Sequence, residues 1–256
     1  MENQLLDSDM LENKEGKSLS ALLANGYETN SVAYIKKGFE LFKQDIGSFI
    51  AFLFIVGISE GIISAIPFLK GLAGPLVAPI MAGSFLVAKK IDKNEMHSFS
   101  DFFEGTKNYV PLFLVTFIPG LLIALIFLLL CGWDYFKLTF LGGAASNNMN
   151  ELISTMTNHG GGIGIAGLIA FVLYILFMLG TLLVLFENFT PLRALDISRK
   201  LISKKFFNWV GFLFLLVLFN MVGLICLAVG LLVTIPSSIC AMYVAYEDVV
   251  GLNLRD

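Results

Sequence analysis

The chain has 256 residues, 57% of them hydrophobic and only 14% charged, with a formal charge of −3 and a mean hydropathy of +0.81. Such values lie far from the averages of soluble domains and identify a chain whose solvent is the lipid bilayer. The acidic balance, with no basic-aromatic patch and no finger-type Cys and His spacing, argues against a nucleic-acid partner.

Residues 1 to about 30 mix charge, Ser and Asn with little periodicity and lack the basic-then-apolar order of a signal peptide, so they are expected to form a flexible cytoplasmic tail. Residues 31–256 then form one transmembrane domain. From Ser31 to Asp45, apolar Ile35, Phe39 and Phe42 recur at helical spacing between Lys36, Lys37, Glu40 and Lys43. That pattern predicts an amphipathic helix in the membrane interface, running without a break into the apolar stretch Ile46 to Leu69. The stretch is long enough to cross about 30 Å of hydrocarbon at about 1.5 Å per residue. A turn at Pro67 to Gly71 leads to a second span, Gly71 to Ala88.

Ser98 with Asp101 predicts a helix start, with Phe99, Phe102 and Phe103 on one face of a second interfacial helix. A third span, Val110 to Trp133, is followed by a polar connection over 134–162, whose Gly160 to Gly164 run is expected to be a flexible lead into a fourth span, Ile163 to Phe186. Glu187, Asn188 and the Thr190-Pro191 pair signal an end and a new start. Pro191 to Lys205 repeats the charged amphipathic design, and the uncharged run Phe206 to Tyr246 is too long for one span at roughly 20 residues. Divided near Val222 to Leu227, it supplies spans five and six.

All of the 17 lysines and arginines except Lys70 and Lys137 fall in segments that a six-span topology places on one side. The positive-inside rule makes that side cytoplasmic, with both termini there. Laying residue 39 on 103 aligns Phe39-Glu40 with Phe103-Glu104, Lys43 with Lys107 and Phe49 with Phe113. Laying Phe52 on Phe212 aligns Phe52-Leu53-Phe54 with Phe212-Leu213-Phe214, and one extra residue brings Pro75 onto Pro236 and Met81 onto Met242. The expected fold is therefore an all-α integral membrane protein of six transmembrane helices in three pseudo-repeats, each an interfacial amphipathic helix plus a transmembrane hairpin.

The stretches GFELFKQDIGSFI at 38–50, Pro75 to Gly83, SFSDFFEG at 98–105, ENFTPLRALDISRKLI at 187–202 and GLLVTIPSSICAMYVAYEDV at 230–249 carry a resemblance. Over most of residues 31–249 the chain resembles the YciC-like and DUF975-like six-span bacterial membrane proteins, and the membrane domain attached to some glycerophosphodiester phosphodiesterases. The resemblance implies a six-helix module of the bacterial cytoplasmic membrane. It does not bring the phosphodiesterase activity, because that domain is absent from this sequence.

Glu60 is the only charged residue in the first span, and an ionisable group inside a membrane needs a partner or a role. The second alignment lays it on Asn220, which suggests a polar interior shared by Glu60, Asn220, Ser59, Ser64 and Thr234. Lys36, Lys37, Lys43, Arg199, Lys200, Lys204 and Lys205 are candidate contacts for anionic lipid headgroups. Glu187, Glu247 and Asp248 are expected to pair with Arg193, Arg199, Lys204 or Lys205. No nucleophile-base pair, paired catalytic carboxylates or HExxH occurs, and three scattered cysteines with two histidines in separate segments imply neither metal nor cofactor. The expectation is a non-catalytic scaffold or accessory module in membrane homeostasis or a membrane complex, with lipids and a membrane protein as partners. The alternative is a small transporter or channel around Glu60.

Overall fold

Among the described residues the apolar runs are helical, and some of the breaks between helices fall at residues with caps or special backbone. The structure, a computed structural model, describes residues 18–66, 69–140, 157–225 and 229–252. The first 17 residues of the expected tail, residues 141–156 of the polar connection, Pro67, Cys226 and the C-terminal residues from 253 lie outside them. In chain order the helices are α1 (Leu19–Asn25), α2 (Ser31–Gln44), α3 (Ile46–Ala65), α4 (Ala73–Asp92), α5 (Tyr109–Phe140, kinked at Gly132, φ 76°), α6 (Gly160–Phe177), α7 (Gly180–Glu187), α8 (Pro191–Lys204), α9 (Phe206–Ile225) and α10 (Leu231–Val249). A 3₁₀ turn, Lys70–Leu72, precedes α4, and a 3₁₀ segment, Phe99–Asn108, precedes α5.

Among the described residues five stretches are long and apolar enough to cross a membrane: Ile46–Ala65, Lys70–Asp92, Phe99–Trp133, Gly160–Glu187 and Phe206–Ile225. Ile58, Ile62, Leu129, Leu168 and Ile225 point outward on them. Outward apolar side chains on this scale would aggregate a water-soluble protein but suit a hydrocarbon solvent. The sixth expected span, α10, is not among the five. Its Thr234, Ser237, Cys240, Ala241 and Tyr243 are buried, so it is enclosed by other helices and has little need of lipid-facing leucines.

Charges gather at one end of the bundle, the charged end, where α4, α7 and α10 finish and α2 lies, while Lys70 sits in the turn at the opposite end. The expected unbroken passage from amphipathic run to span is a joint at Asp45, which has left the helical region (φ −147°) and whose Oδ1 accepts from the Ser48 N–H at 3.2 Å to cap α3. Lys205 (φ −134°) makes the corresponding joint between α8 and α9. Helices α2 and α8 both have 14 residues, and α3 and α9 both have 20. The predicted start at Ser98 is present as a capping box with Asp101, and Asn188 (left-handed) with Thr190 and Pro191 separates α7 from α8.

Small residues let each short segment lie against a long helix. A Cβ on Gly38 of α2 would meet the Ala241 backbone nitrogen of α10 at 2.4 Å. One on Gly83 of α4 would lie 1.7 Å from the Phe102 carbonyl oxygen, and one on Gly105 would lie 2.3 Å from the Pro79 carbonyl oxygen. Helix α8 meets α6 and α7 through the Ser198 hydroxyl, which donates to the Leu176 carbonyl at 2.7 Å, and through Leu195, 3.2 Å from a Cβ on Gly180. Such close crossings are how helices associate where hydrophobic burial offers no preference for protein over lipid.

Two expectations about loops change. The Gly160 to Gly164 run is the helical start of α6, and a Cβ on Gly162 would lie only 2.4 Å from the Leu130 carbonyl oxygen, so the glycine permits a close approach to α5. From residue 18 onward the expected tail is docked: Tyr27 donates to the Leu201 carbonyl at 2.8 Å and accepts from the Trp209 indole N–H at 2.7 Å, while Asn208 donates to Thr29 at 2.8 Å. Leu22 is buried beside them. Scattered single anchors of this kind have no periodicity to announce them.

Candidate functional site

Among the described residues two adjoining chambers open between the long helices. One, of about 460 Å³, has Glu60 in its lining with Val77, Pro119, Phe177 and Thr181; the other, of about 640 Å³, is lined by Leu216, Asn220, Met221 and Ser238 among others. Met81, Phe85, Tyr174 and Met242 belong to both, so the chambers adjoin along a common wall. Their volumes fall in the range of small-molecule sites, about 300–1,000 Å³. Within about a turn toward the charged end, Ala88, Leu112, Leu183, Tyr243 and Tyr246 are fully buried, so both chambers are closed on that side.

The polar residues expected to share one interior stand in separate places. Glu60 is exposed at the first chamber and, among the described residues, has no hydrogen-bond or ion-pair partner. Asn220 lines the second chamber, where its Nδ2 donates to the Leu216 carbonyl at 2.8 Å and to Ser238 Oγ at 2.9 Å. Its Oδ1 is buried and unpaired among the described residues, as is Thr234 Oγ1. Thr234 stands in the α9–α10 crossing, 2.5 Å from where a Cβ on Gly223 would lie. Ser59 turns its hydroxyl back to the Ile55 carbonyl at 2.8 Å, and Ser64 is half-buried near the end of α3. Sequence reasoning missed the wall residues, although it did align Met81 with Met242, and both stand there.

At the charged end a second polar site closes the bundle. Asp92, with its side chain only 8% exposed, accepts from Lys37 Nζ at 2.8 Å and from the Tyr243 hydroxyl at 3.2 Å. Glu247 accepts from Lys93 and lies 3.7 Å from Lys37. The Tyr34 hydroxyl donates to Asp248 and the Tyr246 hydroxyl to Glu187. Burial lowers the Lys37 ammonium's affinity for its proton, but Asp92 and then Glu247 outweigh that effect and hold it above the ordinary lysine range. Burial, reinforced by Asp248, pushes the Tyr34 phenol well up. The expected pairing of Glu247 with bases of α8 is therefore replaced by lysines of α2 and the α4 terminus, which the antiparallel crossing of α2 and α10 brings beside it.

The basic candidates divide in the same way. Lys37 is committed to Asp92, and Arg199 and Lys200 both bind Asp196, at 2.8 Å for Arg199, in the i, i+3 and i, i+4 pattern of a surface helix. Those two bases, Lys200 first, hold the Asp196 carboxyl below the usual aspartate range. Lys43 lies over the Phe39 ring at 5.2 Å, and Lys36, Lys204 and Lys205 are exposed with no ion pair among the described residues. His97 reaches the joint at Asp45 (3.1 Å), while among the described residues no three of His, Cys, Asp and Glu gather as metal ligands. No protein-family model, curated protein or solved structure matches this chain.

Proposed function

We propose that the chain is a multi-pass protein of the bacterial cytoplasmic membrane, six helices in three pseudo-repeats with both termini cytoplasmic, acting as a non-catalytic scaffold or accessory module for membrane homeostasis or a membrane complex. The observation that carries this reading is the seal at the charged end. Fully buried Leu112, Tyr243 and Tyr246, backed by the Lys37–Asp92–Glu247 network, leave the chambers no continuation toward that face. A channel would need one.

The repeat gains support from the joints. The register that lays Phe52 on Phe212 also lays Ser31–Gln44 on Pro191–Lys204 and Ile46–Ala65 on Phe206–Ile225, end to end. The short segments also follow one rule: the second lies on α4 of the first unit, the third on α6 and α7 of the second, and the first on α10 of the third. That cyclic order supports counting α10 as a sixth span and suits a rigid platform. Lys36, Lys204 and Lys205, which have no ion pair among the described residues, would face anionic lipid or a partner protein on the cytoplasmic side.

Glu60 at its chamber favours one second reading, a small transporter. A single pair of measurements separates them. Cysteines placed at Ser203 and Asn148 are expected to be, respectively, shielded from and labelled by a membrane-impermeant maleimide in intact cells, and proteoliposomes are expected to show no Glu60-dependent flux. Labelling of Ser203→Cys would overturn the topology, and flux abolished by Glu60→Gln would favour the transporter.

A further inference from the structure

We infer that the chamber beside Glu60 is a binding site for a cationic amphiphile: a single apolar chain ending in an amine or quaternary ammonium group. Of all side chains lining the two chambers, Glu60 alone is an acid or a base. It has no partner among the described residues, although an acidic side chain within a span is costly until something compensates it. The complement that this site lacks is one positive charge. No basic side chain shares either lining, so a headgroup carrying phosphate would find nothing for its negative charge.

The walls select the rest of the ligand. Phe85, Tyr174 and Phe177 present rings in the same chamber and add large apolar surface to its wall. Val77, Ala78, Met81, Ile123 and Met242 accept an alkyl chain, and methionines adjust to irregular shapes. The closed charged end makes this a dead-end pocket entered from the bilayer, so occupancy does not depend on transport. The site is also independent of the scaffold reading, and either can stand without the other.

The test uses the whole protein in lipid nanodiscs, titrated calorimetrically with dodecyltrimethylammonium and, as an uncharged probe of equal chain length, octaethylene glycol monododecyl ether. Wild type is expected to bind the cation saturably and about tenfold or more tighter than the ether. Glu60→Gln should remove that preference while leaving the ether unchanged. Gly120→Leu should weaken both probes, because position 120 lines the chamber and a Cβ there meets nothing within 4 Å. Equal binding of the two probes to wild type overturns the inference without recourse to any variant, and so does a preference that survives Glu60→Gln. Unchanged binding of both probes by Gly120→Leu places them outside the chamber and overturns it as well.

Discussion

Replacing Gly83 by alanine tests the helix crossings on which the whole arrangement depends. The new Cβ would sit 1.7 Å from the Phe102 carbonyl oxygen and 2.4 Å from its carbon, where ordinary contact begins near 3.4 Å. No rotamer relieves a clash with backbone, so α4 and the 3₁₀ segment Phe99–Asn108 must separate by more than an ångström. Overpacking that side chains can absorb costs about 1–3 kcal/mol. Here the separation also withdraws fully buried Phe102 from Phe49 and Phe52, whose ring centroids lie 5.1 and 4.6 Å away. Loss of a buried phenylalanine alone costs about 3–5 kcal/mol, so a total of about 3 kcal/mol or more is expected. At about 2–4 °C per kcal/mol for a chain of this size, the apparent Tm should fall by about 6–12 °C. Scan-rate-matched melting in one detergent, followed by size-exclusion fluorescence, reads this out even if unfolding is irreversible. Gly57→Ala and Gly61→Ala are the controls, since a Cβ at either meets nothing within 4 Å and alanine is the better helix former by about 0.5–1 kcal/mol. A Gly83→Ala protein melting within about 2 °C of Gly57→Ala would refute the crossing.

Lys37→Met should destabilise by about 1–3 kcal/mol, less than the about 3–5 for a fully orphaned buried charge, because Tyr243 at 3.2 Å and Lys93 at 4.0 Å still face Asp92. Adding Asp92→Asn should restore part of the loss in chemical denaturation, and no recovery would mean that the effect is packing alone. Tyr27→Phe removes the donor to Leu201 and the acceptor for Trp209, a local loss of about 1–3 kcal/mol. Amide exchange over residues 19–30 should quicken by about tenfold or more while α4 and α10 keep their protection. Unchanged exchange in that segment would show that the docking rests on Leu22 and Thr29 instead.

Caps were legible in the sequence because they are local: Ser98 with Asp101 and Thr190 with Pro191 foretold starts that the structure keeps. Partners were not. Gly38, Gly83 and Gly105 look no different in sequence from Gly57, Gly61 and Gly120, yet the first three sit against another backbone and the last three meet nothing. Lys37 reached Glu247, and Glu60 and Asn220 fell into separate chambers, through crossings that no local pattern encodes. The physical reason lies in the solvent. In water, apolar periodicity marks the buried face of a helix, but in a bilayer lipid and protein neighbours are equally apolar, and the pattern within a span loses that meaning. What survives is the contrast between α10, rich in Thr, Ser, Cys, Ala and Tyr and enclosed, and α3 or α5, rich in Ile, Leu and Phe and exposed. Small and weakly polar residues therefore mark the helix at the centre, and the low hydropathy that sets α10 apart from the five apolar stretches follows from its place among them.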